Sequence, residues 1–477
     1  MKKIKWLSVG IALFAGLCVT SCSDDDADNR IQVKADDAPE AKVQANGFWV
    51  VNEDWFGHDD GSVNYFKQNS ATSYTPSYRV YRAANDGEKL GVTTQFGTVW
   101  GDNIYMMSKQ GNRSKQENRL VVADAKTMKK KAALKELGGD GRGFVGISET
   151  KAYAGHSKGI AVFDLTSFQI TKQIDGVSGE IGMMCYASGR VFAVSSKHLF
   201  IINAQTDKLE KTIGGEYYTL TRSKDGSVWV AGKDGLTCYN PITLEAETIA
   251  YPDGAEVFGT WFAWNAGGLC ASTQKNVLYW TTGASSWTIN KVYKYDIDAK
   301  SGSMIYEVGK SDKNQQLSFY GAGLRVDPLT DELVLTLAYG YTNNNWIYKL
   351  DNTGAEITHF EVNGGTADSE DVNSGYYWFP ALPVFEDANA PQILLNQVML
   401  TPGEEKEIDL KEKVVDYDNT FASMQFEVSE ASNATVQLEA GVLKVTAGAT
   451  EGVSNCKLSV ISNGVRVEKD IEIVVQQ

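Results

Sequence analysis

A short phrase recurs along the chain: apolar residues in alternation, then Asp or Asn, a polar turn, and a second alternating segment. It reads RLVVADAKTMKKKAAL from Arg119, GIAVFDLTSFQITKQI from Gly159, HLFIINAQTDKLEKTI from His198 and GLTCYNPITLEAETIA from Gly235. Longer-spaced copies are KVYKYDIDAKSGSMIYEV from Lys291 and WIYKLDNTGAEITHFEV from Trp346, and a degenerate copy starts at Gly61. The anchors Asp124, Asp164, Asn203, Asn240, Asp296 and Asp351 are separated by 40, 39, 37, 56 and 55 residues. Each copy predicts a hairpin: two strands of period two joined by a turn in which Asp or Asn accepts from backbone amides.

Another pair of apolar strands precedes each hairpin, as in MMCYASGRVFAVS from Met183, with a turn at Gly189. Four strands per repeat are the radial blades of a β-propeller, whose ring must close. Before Gly61 there is a single strand, Gly47 to Glu53, so the missing innermost strand is expected from Tyr377 to Phe385. The count favours seven blades, although the irregular first and longer repeats also fit six. The expected propeller occupies 46–387. Residues 388–477 alternate cleanly between polar turns and predict a small immunoglobulin-like β-sandwich, so the fold class is all-β.

The N-terminus reads as an export signal. Lys2, Lys3 and Lys5 precede an apolar run from Trp6 to Val19, too short to span a bilayer core of about 30 Å. Val19-Thr20-Ser21-Cys22 resembles a bacterial lipobox, which implies removal of 1–21 and lipidation of Cys22. Ser23-Asp24-Asp25-Asp26 resembles the acidic surface-export signal of Bacteroidetes lipoproteins and implies an outward-facing, outer-membrane location. Residues 22–45 are polar and aperiodic, the pattern of a flexible tether.

With 45 basic and 60 acidic residues and no basic stripe, the chain is a poor partner for nucleic acid. Cys185, Cys238, Cys270 and Cys456 are scattered and predict free thiols. His58, His156, His198 and His359 lack metal-ligand spacing, and neither GxSxG nor a Walker loop is present. Catalytic, metal and cofactor assignments are therefore none. Glu53, Asp54, Asp59 and Asp60 could pair for glycosidic chemistry, which leaves a glycan lyase or hydrolase as an alternative.

The loops at one end of the blades are rich in aromatics. The candidate ligand-binding residues are Trp55, Phe56, His58, Gln95, Phe96, Tyr217, Tyr218, Phe258, Trp261, Trp280, Trp287, Tyr320, Tyr341, Asn343, Asn344 and Tyr377. Blades gather such loops around a common mouth, making a concave site with apolar faces and polar tips.

The stretch FWVVNEDWFGHDDGSVNYF, with LGVTTQFGTVWGDNIYMMSKQG and RLVVADAKTMKK, resembles Bacteroidetes surface lipoproteins with YncE-like propellers, especially the BtuG-type vitamin B12-binding group. That resemblance, from about Ala45 to Asp387, implies a seven-bladed ring, no catalysis, a corrinoid bound as cargo and delivery to a TonB-dependent outer-membrane transporter. A surface glycan-binding lipoprotein would use the same aromatics, and composition does not separate the two.

Overall fold

The computed structural model describes residues 33–56, 59–110, 118–259, 261, 263–283, 288–362 and 378–477. The signal 1–21, Cys22, His58, Trp287 and Tyr377 lie outside the described residues. Among the described residues there are seven four-stranded antiparallel sheets, each in sequence order except the first. That sheet runs Pro380–Phe385, Gly47–Asn52, Ser62–Ser70, Ser73–Ser77. Its outlying first strand is set in register with Trp49 opposite Val384 and Val51 opposite Leu382.

The first strands of sheets one to seven are Pro380–Phe385, Val92–Trp100, Gly141–Gly146, Ile181–Ala187, Tyr217–Arg222, Cys270–Ala271 and Ser318–Val326. Each touches the next, and Ser318–Val326 returns to Pro380–Phe385, so they form a closed cycle. Every sheet thus has neighbours on both faces, and burial explains the long apolar runs. The largest core joins Val51 and Leu382 of sheet one to Phe96 and Met106 of sheet two and Phe144 of sheet three.

The turns explain the repeat. At all six anchors the side-chain Oδ1 accepts from one or two backbone amides two to four residues ahead, at 2.7–3.1 Å. Four residues after five of the anchors the backbone turns left-handed, at Met128, Phe168, Asp207, Leu244 and Lys300, with φ of 50–61°. After Asp351 the turn uses Gly354 instead, φ 94°. A side-chain cap that fixes the turn lets even Leu or Phe hold this conformation.

Beyond Phe385, a five-stranded and a three-stranded sheet enclose a separate apolar core that includes Leu395, Ile408, Leu443, Leu458 and Ile473. The described part of 22–45 departs from a flexible tether. Val33–Ala35 pairs with Leu395–Leu400 as the edge strand of the five-stranded sheet. Asp36 N donates to Leu394 O at 2.8 Å, and Val43 N to Asn389 Oδ1 at 2.7 Å. An open sheet edge offers unpaired backbone groups that a short polar segment can satisfy without β propensity of its own. Cys185, Cys238, Cys270 and Cys456 are all free and all lie in strands.

Candidate functional site

The two ends of the ring carry different loops. Turns between first and second strands meet the C-terminal sheets: Gly101 N to Asn463 O at 2.7 Å, Ser188 N to Ala422 O at 2.8 Å, and Gln274 Nε2 to Tyr417 O at 2.7 Å. Arg466 reaches Glu149 at 2.7 Å in the same way. The opposite end, where first strands begin and second strands finish, is the mouth.

Its floor is closed by the connection between sheets five and six. Trp264 is buried in the core shared by sheets one to three. Lys109 Nζ of sheet two donates to Trp264 O at 2.9 Å, and the Arg142 guanidinium of sheet three lies 5.8 Å from its ring centroid. Thr219 Oγ1 donates to Ala266 O at 2.7 Å and Arg325 to Gly267 O at 3.0 Å, which pins the connection from sheets five and seven. At Gly182 of sheet four a Cβ would fall 2.8 Å from Trp261 and 3.0 Å from Trp264 Nε1. Glycine is needed there for close approach of the two indoles.

Beside this plug lies a buried polar group. Glu53 Oε2 accepts from Gln95 Nε2 and, at 2.9 Å, from the Tyr320 hydroxyl. Burial raises the Glu53 carboxyl above its ordinary range, opposed by the Lys109 charge and the Tyr320 hydroxyl. Burial likewise lowers the Lys109 ammonium, opposed first by Glu53. Each ion is costly alone, and each is tolerable because the other is near.

Over this floor stands an aromatic shelf built by sheets one and seven. The Tyr320 and Phe379 centroids are 5.2 Å apart, and those of Tyr341 and Phe379 are 5.9 Å apart. Tyr341 is 68% exposed, and Phe56, in the loop that starts at Glu53, is 58% exposed. Asn343 and Asn344 share the Tyr341 loop and are linked by a 3.1 Å side-chain bond. Arg82 stakes down the Glu53 loop through Asp54 at 3.3 Å and Asp59 at 3.0 Å, with Lys89 on Asp59 at 2.7 Å. Asp59 is desolvated, yet these cations outweigh the desolvation and hold its carboxyl down at about 2. These carboxylates therefore serve as loop anchors.

A second wall rises from sheet five and its following connection. Trp261 Nε1 donates to Tyr217 O at 2.9 Å, and Tyr218 donates its hydroxyl to Glu256. Half-buried Phe258 belongs to the same connection.

Trp55, Phe56, Gln95, Tyr320, Tyr341, Asn343 and Asn344 thus fall on sheets one, two and seven, while Tyr218, Phe258 and Trp261 form the second wall. Three expectations need correction. Trp280 is fully buried and donates to Ala255 O at 2.7 Å within the core of sheets five and six, because its strand turns that face inward. Phe96 and the Tyr217 ring are buried in cores between sheets, so neither ring is presented to a ligand. Lys109, Arg142, Trp264 and Phe379 also shape the mouth and are not among the residues expected from sequence. A lysine closing an apolar strand was the one available signal.

Among the described residues no three His, Cys, Asp or Glu side chains are gathered to hold a metal. None of their helices is long and apolar enough to cross a membrane. The arrangement offers flat apolar faces, amide groups and a polar floor.

A ring of four-stranded sheets with its site in the loops at one end defines a propeller-like all-β protein. Residues 46–386 match the family described as Domain of unknown function (DUF5074), and the chain belongs to that family. A search of curated proteins finds no match. Among solved structures, the chain is similar in fold to a quinonprotein alcohol dehydrogenase-like protein from Bacteroides thetaiotaomicron. The TM-score is 0.51 at 16% identity, over 72% of this chain and 78% of that one. The extracellular domain of a hybrid two-component system from the same organism gives a TM-score of 0.42 at 11% identity, over 87% of this chain and 62% of that one.

Proposed function

We propose that this chain is a lipid-anchored capture protein of the outer cell surface that binds a corrinoid at the mouth of a seven-bladed propeller, without turnover. The observation that carries the reading is exposed Tyr341, packed on the buried Phe379 ring beside half-buried Tyr320, with exposed Phe56 in the adjoining loop. Exposed aromatic surface concentrated on two neighbouring loops marks a binding site. Apolar rings cover the edges of a corrin, and Asn343 and Asn344 bond its peripheral amides. The plug under the shelf makes the mouth a shallow seat. Glu53 is engaged by Gln95 and Tyr320, and Asp54 and Asp59 by Arg82, which favours binding over acid–base chemistry.

The C-terminal module is, in this reading, an immunoglobulin-like sandwich on the membrane side. The segment that follows lipidated Cys22 enters it through Val33–Ala35, which directs the mouth outward. No cofactor is required, and a TonB-dependent transporter takes the cargo. Calorimetry on the mature protein tests the reading: cyanocobalamin and cobinamide bind, and neutral polysaccharides do not. Saturable polysaccharide binding without corrinoid binding replaces it with a glycan-capture role. Cleavage of a polysaccharide overturns the non-catalytic assignment.

A further inference from the structure

Three aspartates meet where the ring joins the C-terminal sheets: Asp387, directly after the closing strand, and Asp416 and Asp418 of the C-terminal module. Asp418 is buried, and Asp387 and Asp416 are half-buried. One Asp418 oxygen, Oδ2, accepts from Ala388 N at 3.0 Å, Asn389 N at 2.6 Å and Asn389 Nδ2 at 3.1 Å. Asp416 Oδ1 accepts from Asp418 N at 2.8 Å and Asn419 N at 2.9 Å. Asp387 Oδ2 accepts from Asn463 and, at 3.4 Å, from Asn419. With Asp416 Oδ2 accepting from Asn419 Nδ2 at 3.4 Å, these bonds orient the three carboxylates and leave two of their six oxygens over.

Those two are Asp387 Oδ1 and Asp418 Oδ1, both buried and without a hydrogen-bond partner. Asp418 as a whole is only 6% exposed. The Asp387 and Asp418 carboxyls lie within hydrogen-bonding reach of each other, with Asp416 close enough to act on Asp387 through its charge. Both residues line a cavity of about 240 Å³ together with Asn419 and Asn463. Among the described residues no Lys, Arg or His pairs with any of the three aspartates. Ionised carboxylates in contact, with no cationic side chain, are strongly unfavourable unless a shared proton or a metal cation joins them.

We propose that this seam binds a calcium ion between Asp387 Oδ1 and Asp418 Oδ1, locking the propeller to the C-terminal module. All the donors are oxygens, the set that suits a hard cation of flexible coordination. Three carboxylates do not yet converge on one point. The site therefore takes two of them, with side-chain amide oxygens from Asn419 and Asn463 and water in the cavity, while Asp416 adds charge from behind. Asn463 sits in the turn whose carbonyl receives Gly101 N, so the ion would tighten the ring contact as well as the seam.

The test uses the mature full-length protein. Calorimetry with calcium chloride is expected to give one site saturating at about 0.1–1 mM, the range of extracellular modules, and calcium is expected to raise the melting temperature above that in EGTA. Asp387→Asn should abolish the calcium response and melt higher than metal-free wild type, because it removes a like-charge contact. Asp418→Asn should also abolish the response. Absence of binding heat and of a melting shift at 10 mM calcium in the wild type overturns the proposal, as does an unchanged response in both variants. Should either variant fail to fold, the wild-type comparison still decides.

Discussion

Tyr320 donates its hydroxyl to Glu53 Oε2 at 2.9 Å, and this bond crosses the seam between the seventh sheet and the first. The two residues are separated by most of the ring in sequence, and they meet because Pro380–Phe385 inserts beside Gly47–Asn52. The site and the closure of the ring are therefore coupled at one carboxylate. Tyr320→Phe keeps the ring contact with Phe379 and removes only the bond. It should destabilise the protein by about 1.5–3 kcal/mol, the range for a hydrogen bond to a charged group. Chemical denaturation of wild type and variant measures it, and an unchanged midpoint would contradict the assignment.

The closing strand should behave as core. Leu382 is buried against Val51 and Phe96 in the largest apolar cluster, so Leu382→Ala is expected to cost about 2–5 kcal/mol. Ile242, an exposed turn residue of sheet five, provides the control: Ile242→Ala should shift stability by roughly 0.5 kcal/mol or less. Equal midpoints for the two variants would argue against closure through this strand.

The order of strands was legible because Asp124, Asp164, Asn203, Asn240, Asp296 and Asp351 announce their turns chemically. The tie between local sequence and local structure is direct there. The mouth was less legible, since alternation places Trp280 on one face of its strand without saying which face turns inward. The path of Trp264 is set by Lys109, Thr219 and Arg325, from three different sheets, so no local pattern encodes it. Val33–Ala35 forms a strand because an edge at Leu395–Leu400 is open to it. In each case the missing information lay in a distant partner.

Asp59 should make the mouth loop acid-labile. Desolvation works against its ionised form, but Arg82 and Lys89 win, and the folded-state pKa falls to about 2 from about 3.9 in an unfolded chain. A depressed carboxyl stabilises the fold above the unfolded value and loses that contribution as pH falls through the folded one. Wild type should therefore lose on the order of 2 kcal/mol between about pH 4 and pH 2 through this group. Asp59→Asn should be less stable at neutral pH and show a shallower fall over the same window. Parallel urea titrations across that range decide it, and identical slopes would remove Arg82 as the anchor.

Binding and stability should separate on the shelf. Phe56 and Tyr341 are exposed, so Phe56→Ala and Tyr341→Ala should leave the melting temperature nearly unchanged. If they sit at the centre of the interface, each should weaken corrinoid binding by roughly thirtyfold, a loss of about 2 kcal/mol. Trp280→Ala should do the reverse, lowering stability by about 3–5 kcal/mol through its buried indole without touching the mouth. Calorimetry paired with melting separates the two classes, and unaltered affinity in both shelf variants would move the site elsewhere.

Lys109 offers the sharpest test of the polar floor. Its ammonium reaches the carbonyl of Trp264, and its charge opposes the rise that burial imposes on Glu53. Arg142, Glu180 and Asp140 act on it from the neighbouring sheets. Lys109→Met keeps the bulk, removes the bond to the plug and takes away the positive charge that opposes the desolvation of Glu53. The Glu53 carboxyl should then rise further in the folded state. A carboxyl raised on folding favours the native state at low pH, where it is protonated in both states, and loses that advantage as pH climbs. The stability penalty of Lys109→Met should therefore be larger at about pH 8 than at about pH 5. Adding Glu53→Gln to the variant removes the titrating group, so the double variant should show a penalty nearly independent of pH, and the cycle isolates the pair. A penalty equal at both pH values in the single variant would mean that Lys109 acts only through Trp264.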